Sequence, residues 1–534
     1  MTGPLGELRA AVQAASESLA GESVAGRPAP TLERPKKAEH GDYSTNAAML
    51  LAPVLKAPPR DVAERLGSEL EARLGDRLDR VEVAGPGFLN LFLGDGWFGD
   101  CLRQVLGEGD AFGGGGARER EKVNVEFVSA NPTGPMHAGH ARNAAYGDAL
   151  ARLLELHGHD VTREFYVNDY GSQVRRFAES IRARARGEEP PDDGYRGDYV
   201  ADLASLDDGV DLDALGQAAV TAMVERMRAS LERFGVTIDE WFSERTLHPL
   251  AVEHTFELLE KQGHAYRSEG ALWLRTTTFG DDKDRVLVRS TGEHTYFASD
   301  IAYHENKRER GFDRLIDVWG ADHHGYVPRM KAMFAALGGD PDRLDLLIMQ
   351  FVHLVSHDGE RSSMSKRSGE FVTLDELVDE IGVDAARWYL LARSHDTTIE
   401  LDLDLAKAES AENPVYYVQY AHARIESVLA KAGSAGTDFG ELVVALDPAE
   451  RALVKKLLAF GLEIEEAVDR RAPHRIATYA LELAQDFTAF YRDCRIAGAE
   501  PAEVERFRIA LSVAARRTIA RSLALLGVSA PEAM

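Results

Sequence analysis

Between Lys122 and Val167 the chain runs through KVNVEFVSA, an apolar stretch suited to a buried strand, then the tight loop NPTGP. The amphipathic helix HAGHARNAAYGDALARLLELHG, closed by Gly158, and a second strand, DVTREFYV, complete the segment. Strand, loop, helix and strand at this spacing form a βαβ unit. Such a unit demands a parallel sheet and puts ligands at the carboxyl ends of its strands. Further apolar segments, RVLVRS, RLIDVWGA and LDLLIMQFVHLV, alternate with helical stretches and are expected to resume this sheet and close it near residue 355. The acidic, turn-rich stretch from about Gly187 to Asp213 reads as an excursion from it.

The flanks differ. At about 150 residues per domain, 534 residues leave room for three or four domains. Residues 1–112 mix a helical pattern with the strand-like VEVAGPGFLNLFL, which fits an appended α/β domain, and the run Gly113–Gly116 reads as a flexible linker. Residues 117–404 hold the Rossmann-type sheet. From 405 to 534 helical periodicity takes over, and an α-helical bundle is expected.

Composition narrows the function. Apolar residues are 44% and charged residues 28%, ordinary for a globular protein, and no stretch approaches the run of about 18 apolar residues that a spanning helix needs. The N-terminus carries no basic segment followed by an apolar one, so a cytoplasmic protein without membrane attachment is expected. Two distant cysteines, Cys101 and Cys494, make no zinc framework, and no metal cage is visible elsewhere. The net charge of −26 argues against holding a polyanion by bulk electrostatics. Leu405 to Met534 is nearly balanced, however, with 16 Lys and Arg against 18 Asp and Glu, so any nucleic-acid face is expected there as a local patch.

Two short strings carry chemistry. Pro135-Met136-His137-Ala138-Gly139-His140 opens the helix of the βαβ unit. A helix N-terminus attracts phosphate, Gly139 permits close approach, and imidazoles can donate to phosphoryl oxygens. Ser363-Met364-Ser365-Lys366-Arg367-Ser368-Gly369 follows the last strand and suits a loop bringing positive charge to a phosphate leaving group. Together, in this order and placement, they resemble the HIGH and KMSKS signatures of class I aminoacyl-tRNA synthetases. The wider chain resembles the arginyl-tRNA synthetase family. GDYSTNAAMLLA and GPGFLNLFL resemble its N-terminal domain, and VEFVSANPTGPMHAGH and GEFVTLDELVDEIGVDAARWYLL resemble its catalytic segments. YVQYAHARI, DFTAFYRDCRI and LLGVSAPEAM resemble its helical anticodon-binding domain.

The resemblance implies a monomer that joins L-arginine to the 3′ end of tRNA(Arg) through arginyl adenylate, using ATP with Mg²⁺ carried mainly by the nucleotide. It also implies that arginine activation depends on bound tRNA. Pro135, His137, Gly139, His140, Met364, Ser365 and Lys366 would bind ATP, with His137, His140, Lys366 and Arg367 acting on its phosphates. Glu126, Ser129, Asn131, Tyr296, Asp300 and His323 would bind arginine. Tyr296 and Asp300, four apart, share a helix face. A carboxylate such as Glu126 inside an apolar strand needs a cationic partner in any case, from substrate or from protein. In the bundle, Tyr416, Tyr420, Arg424, Arg492 and Arg495 would contact tRNA, among a wider set that includes Tyr417, Phe487, Phe490 and Tyr491. Two positions depart from the family pattern: Ser363 replaces the first signature lysine, leaving Lys366 to meet the phosphates, and His323 stands where many members have glutamine.

Overall fold

The structure is a computed structural model that describes residues 3–21, 28–35, 37–355, 372–433, 440 and 442–534. Its centre is a five-stranded, all-parallel sheet of β4 (Lys122–Glu126), β5 (Asp160–Val167), β6 (Glu240–Ser243), β10 (Arg314–Gly320) and β11 (Leu344–Met349), in the order β11-β10-β4-β5-β6. In β4 the residues Val123 to Glu126 are all buried, as both faces of a parallel sheet are covered. The helix Ala138–His157 crosses from β4 to β5. It packs so closely that a Cβ on Gly147 would lie 2.2 Å from the Phe127 ring. Gly158, with φ 118°, ends it by donating to Glu155 and Leu154 carbonyls.

Ahead of this sheet, β1 (Tyr43–Thr45), β2 (Leu78–Ala84) and β3 (Phe88–Leu93) form an antiparallel sheet in the order β1-β3-β2, covered by helices. Gly85 and Gly87, at φ 50° and 135°, turn β2 into β3. Behind it stand the helices Pro414–Lys431, Pro448–Leu458, Phe460–Asp469, His474–Asp493 and Ala502–Leu526. The parts are tied by buried polar contacts. Arg387, fully buried, donates to Asp148 on the crossover helix (2.5 Å) and to the Leu526 carbonyl at the end of the last helix (2.7 Å). Among the described residues no helix is long and apolar enough to cross a membrane.

Three expectations need correction. RVLVRS does not join the parallel sheet: β7 (Ala265–Ser268), β8 (Ala271–Leu274) and β9 (Arg285–Val288) make a separate antiparallel sheet, in which β9 buries only Leu287 outright. A four-residue apolar run fits either sheet, and only the tertiary partner decides. LDLLIMQFVHLV splits at Gln350 and Phe351 into β11 and β12 (Val352–Val355), and β12 pairs in parallel with β13 (Ile399–Asp402). The glycine run is a packed crossing and not a free linker. A Cβ on Gly113 would meet the Phe460 ring at 2.5 Å, on Gly114 the Leu156 carbonyl at 2.8 Å and on Gly116 the His157 ring at 2.9 Å. Glycine is required there for contact.

Candidate active site

The register of the central strands sets three carboxylates side by side at the sheet's carboxyl end: Asp317 on β10 pairs with Glu126 on β4, which pairs with Glu164 on β5. All three are buried. Like charges in a row are costly unless countered, and one helix, Tyr296–Glu309, supplies most of the counterions. Lys307, fully buried, reaches Glu126 Oε2 at 2.6 Å and Asp317 Oδ1 at 2.8 Å, while His304 Nε2 lies 2.9 Å from Asp317 Oδ2. Arg310, just past the helix, grips Glu164 with two bonds of 2.6 and 2.8 Å, and the Tyr303 hydroxyl donates to the same carboxylate. Burial alone would drive Lys307 toward neutrality, but Asp317, Glu126 and Glu164 outweigh it and hold its ammonium above the ordinary lysine range. Burial would likewise raise Asp317, yet Lys307 and His304 hold it at about 2. The cation that Glu126 requires is therefore a protein lysine.

Glu126 Oε1 accepts from Ser129 Oγ at 2.8 Å, and Ser129 Oγ accepts from the Tyr166 N–H at 3.1 Å. Val128 and Ser129 hold φ of 69° and 41°, a left-handed conformation unusual for a β-branched residue and kept only because these bonds and burial fix it. Asn131, exposed, accepts from Asn168 at 3.1 Å.

Beside this row lies a pair of carboxylates whose surroundings favour the neutral form. Burial raises Asp300 to about 6, with Glu126 and Asp317 adding to it. Burial raises Glu244, which follows β6, to about 7; Asp300 and Asp169 add to this against hydrogen bonds from Ser299 and Tyr166. No hydrogen bond reaches the Asp300 carboxylate among the described residues. Burial and neighbouring carboxylates thus raise both acids, and a cation bound beside them would favour their ionised form; His248 Nε2 lies 3.6 Å from Glu244. Tyr296, one turn before Asp300 and 78% exposed, stands at the rim. His323 lies in the exposed turn after β10, 3.5 Å from Asp322 and against Trp319 and Tyr326.

The phosphate end of the site is the head of the crossover helix. His137 is its N-cap: Gly139 N–H donates to His137 Nδ1 (3.0 Å) and His137 N–H donates to His140 Nδ1 (3.2 Å), with the rings stacked 3.7 Å apart. Burial lowers both imidazoles, His140 to about 3 with His137 adding to it, so both are neutral at pH 7. Because each Nδ1 accepts a backbone proton, each ring carries its own proton on Nε2, which makes it a neutral donor suited to phosphoryl oxygen. A Cβ on Gly139 would lie 2.9 Å from His137 Cε1 and 3.0 Å from Nδ1. Gly139→Ala is therefore expected to displace the ring and lower the pyrophosphate-exchange kcat about 10- to 100-fold, the cost of an ångström-scale misplacement, while the melting temperature changes little.

Met364, Ser365, Lys366 and Arg367 lie outside the described residues, but the chain on either side is fixed here. β12 leads into that segment, and after it Leu374 N–H donates to the Met136 carbonyl (2.8 Å) while Ala138 N–H donates to Val372 (3.0 Å). Val372 and Leu374, where the described chain resumes, thus meet the first signature segment directly.

In the bundle, Arg424 sits between the rings of Tyr420 (4.6 Å) and Tyr491 (5.2 Å), and Tyr416 stacks on Tyr420 at 6.1 Å. Tyr420 and Tyr491 are exposed, so these four side chains make a ledge. Phe487 and Phe490 are not part of it: both are fully buried in the bundle core. Arg492 is paired with Asp493 (2.7 Å) and Arg495 donates to the Ala497 carbonyl (3.2 Å). Lys307, Glu164, Tyr303 and Glu244 were absent from the residues inferred from sequence. The polar face 300-303-304-307 of one helix was a usable signal for two of them; Glu244, at the start of the short 3-10 helix Glu244–Leu247, gave none.

Residues 102–189 and 197–427 match the family model "tRNA synthetases class I (R), catalytic domain", which gives the sheet and its capped helix their class: a class I aminoacyl-tRNA synthetase, an enzyme that uses ATP. Residues 6–93 match "Arginyl tRNA synthetase N terminal domain" and 418–534 match "DALR anticodon binding domain". An arginine-tRNA ligase of Moorella thermoacetica is 46% identical over 526 residues, 94% of this chain and 93% of the relative. One of Desulforudis audaxviator is 46% identical over 552 residues, 99% and 97% of the two chains. The solved arginyl-tRNA synthetase of Thermus thermophilus superposes with a TM-score of 0.78 at 25% identity, over 99% of this chain and all of that one. This chain belongs to the arginyl-tRNA synthetase family.

Proposed function

We propose that the chain activates L-arginine with ATP and transfers it to tRNA(Arg), as a monomer in the cytoplasm. A carboxylate oxygen of arginine bonds to the α-phosphorus of ATP as the bond to pyrophosphate breaks. The 3′-terminal ribose hydroxyl then attacks the activated carbonyl and AMP leaves. His137 and His140 donate from Nε2 to phosphoryl oxygens as charge gathers there, and Lys366 and Arg367 draw off pyrophosphate. Mg²⁺ carried by the nucleotide would neutralise charge on its phosphates. Asp300 and Glu244 take the guanidinium, with Tyr296, Ser129, Asn131 and His323 around it. Glu126, already paired with Lys307, shapes the pocket and adds negative potential. Tyr416, Tyr420 and Arg424 hold unpaired bases, while Arg492 and Arg495 have weaker claims because each is engaged within the bundle. The division into 1–112, 117–404 and 405–534 belongs to this reading.

The observation that carries it is that Asp300 and Glu244, acidic groups raised to about 6 and 7, stand next to the Asp317–Glu126 carboxylate row of the sheet whose strand β4 leads into the histidine-capped helix. A guanidinium favours their ionised form, so arginine binding must release protons, and affinity must rise as pH rises through these values. The KM for arginine is expected to fall steadily from pH 6 to 8 in pyrophosphate exchange run with tRNA present. A KM that is flat or rises over that range would count against the pocket.

A further inference from the structure

The helix headed by His137 buries two polar side chains that the chemistry above leaves unused. Arg142, fully buried, donates to the Gln350 carbonyl (2.6 Å) and the Ser394 carbonyl (2.8 Å), and Gln350 N–H donates to the His395 carbonyl (2.8 Å). Gln350 lies just before β12, the last described strand ahead of Lys366 in the sequence. One turn along the helix, the fully buried Tyr146 donates to the Arg471 carbonyl at 2.6 Å and stands 3.3 Å from His395 Nδ1. With the phenolic proton given to Arg471, His395 must be the donor to the phenol oxygen.

Arg471 belongs to the bundle, in the turn between Phe460–Asp469 and His474–Asp493. Its φ of 51° is unusual for a non-glycine residue, and its guanidinium fixes it there by donating to Asp345 Oδ2 on β11 (3.1 and 3.0 Å) and to the Val468 carbonyl (2.6 Å). A continuous hydrogen-bonded path therefore joins the bundle turn to the histidine-headed helix and to the strand before the second signature. Apolar side chains would seal this junction without the cost of burying a phenol and a guanidinium; polar ones fix its geometry.

Resting on the ligase reading, we infer that Tyr146 is a positioning residue that ties the bundle to the catalytic helix, so that RNA held on the Tyr420–Arg424–Tyr491 ledge promotes chemistry at His137 and His140. Tyr146→Phe keeps the ring and removes both bonds. In arginylation of full-length tRNA it is expected to lower kcat about tenfold, within the usual range of coupling between sites, with the KM for ATP and arginine within about twofold. In an Arg424→Ala background, where the ledge is broken, the same substitution is expected to cost less than about twofold. His395→Leu, which removes the ring donor to the phenol, is expected to give the same background-dependent loss and serves if the first variant fails to fold. An equal loss in both backgrounds, or no loss in either, would overturn the positioning role while leaving the ligase reading intact. A parent protein that does not arginylate tRNA would remove both.

Discussion

Asp300→Asn is expected to raise the KM for arginine about 100-fold while changing kcat by less than about threefold. The substitution keeps volume and removes charge from a half-buried acid that has no hydrogen bond to its carboxylate among the described residues. Losing a charged partner to a desolvated ligand typically costs about 2–5 kcal/mol, and about 2.7 kcal/mol is 100-fold in affinity. The guanidinium lies at the far end of arginine from the reacting carboxylate. Its contacts are thus the same in ground and transition states, and uniform binding appears in KM and not in kcat. The variant should also shift the pH dependence, because Asp300 helps raise Glu244: the fall in KM should move to lower pH. Steady-state kinetics across pH 6 to 8 checks both, and a KM within twofold of the parent would remove Asp300 from the pocket.

Lys307→Met is expected to destabilise the fold by about 3–5 kcal/mol, the usual cost of stripping a buried ion cluster of its cation. Glu126 and Asp317 would be left facing each other in neighbouring strands with no ammonium between them. Each would then bind a proton or unfold its strand end. Chemical denaturation at pH 7 measures the loss. Glu126→Gln in the Lys307→Met background is expected to recover part of it, since one of the two unpaired charges is then gone. If the single variant lost less than about 1 kcal/mol, the carboxylate row would not depend on Lys307.

These two residues mark how far sequence carries. The parallel sheet was legible because Lys122–Val167 alternates in the βαβ pattern, and the capping histidines because their string falls where a helix must begin. Asp300 was reachable as a helical partner of Tyr296. The alignment of Asp317, Glu126 and Glu164 was not: it depends on which strands become neighbours and in what register, and those residues are up to 191 positions apart in the chain. Hence the sequence shows that Glu126 needs a cation, from substrate or protein, but does not single out Lys307 as the protein group beside it. RVLVRS was misplaced for a related reason, since an apolar tetrad is compatible with either sheet. The glycine run was misread because glycine serves a close crossing as readily as a flexible joint, and only the neighbours Phe460, Leu156 and His157 distinguish the two. Phe487 and Phe490 share helical spacing with Tyr491, yet face inward.

The most direct test of the account is ATP-dependent esterification of total tRNA with each of the twenty amino acids offered separately. The account predicts charging by arginine alone. Charging by a different amino acid would contradict the Asp300–Glu244 pocket while leaving a class I enzyme, and no charging by any, with active protein and cognate tRNA, would contradict the ligase function itself.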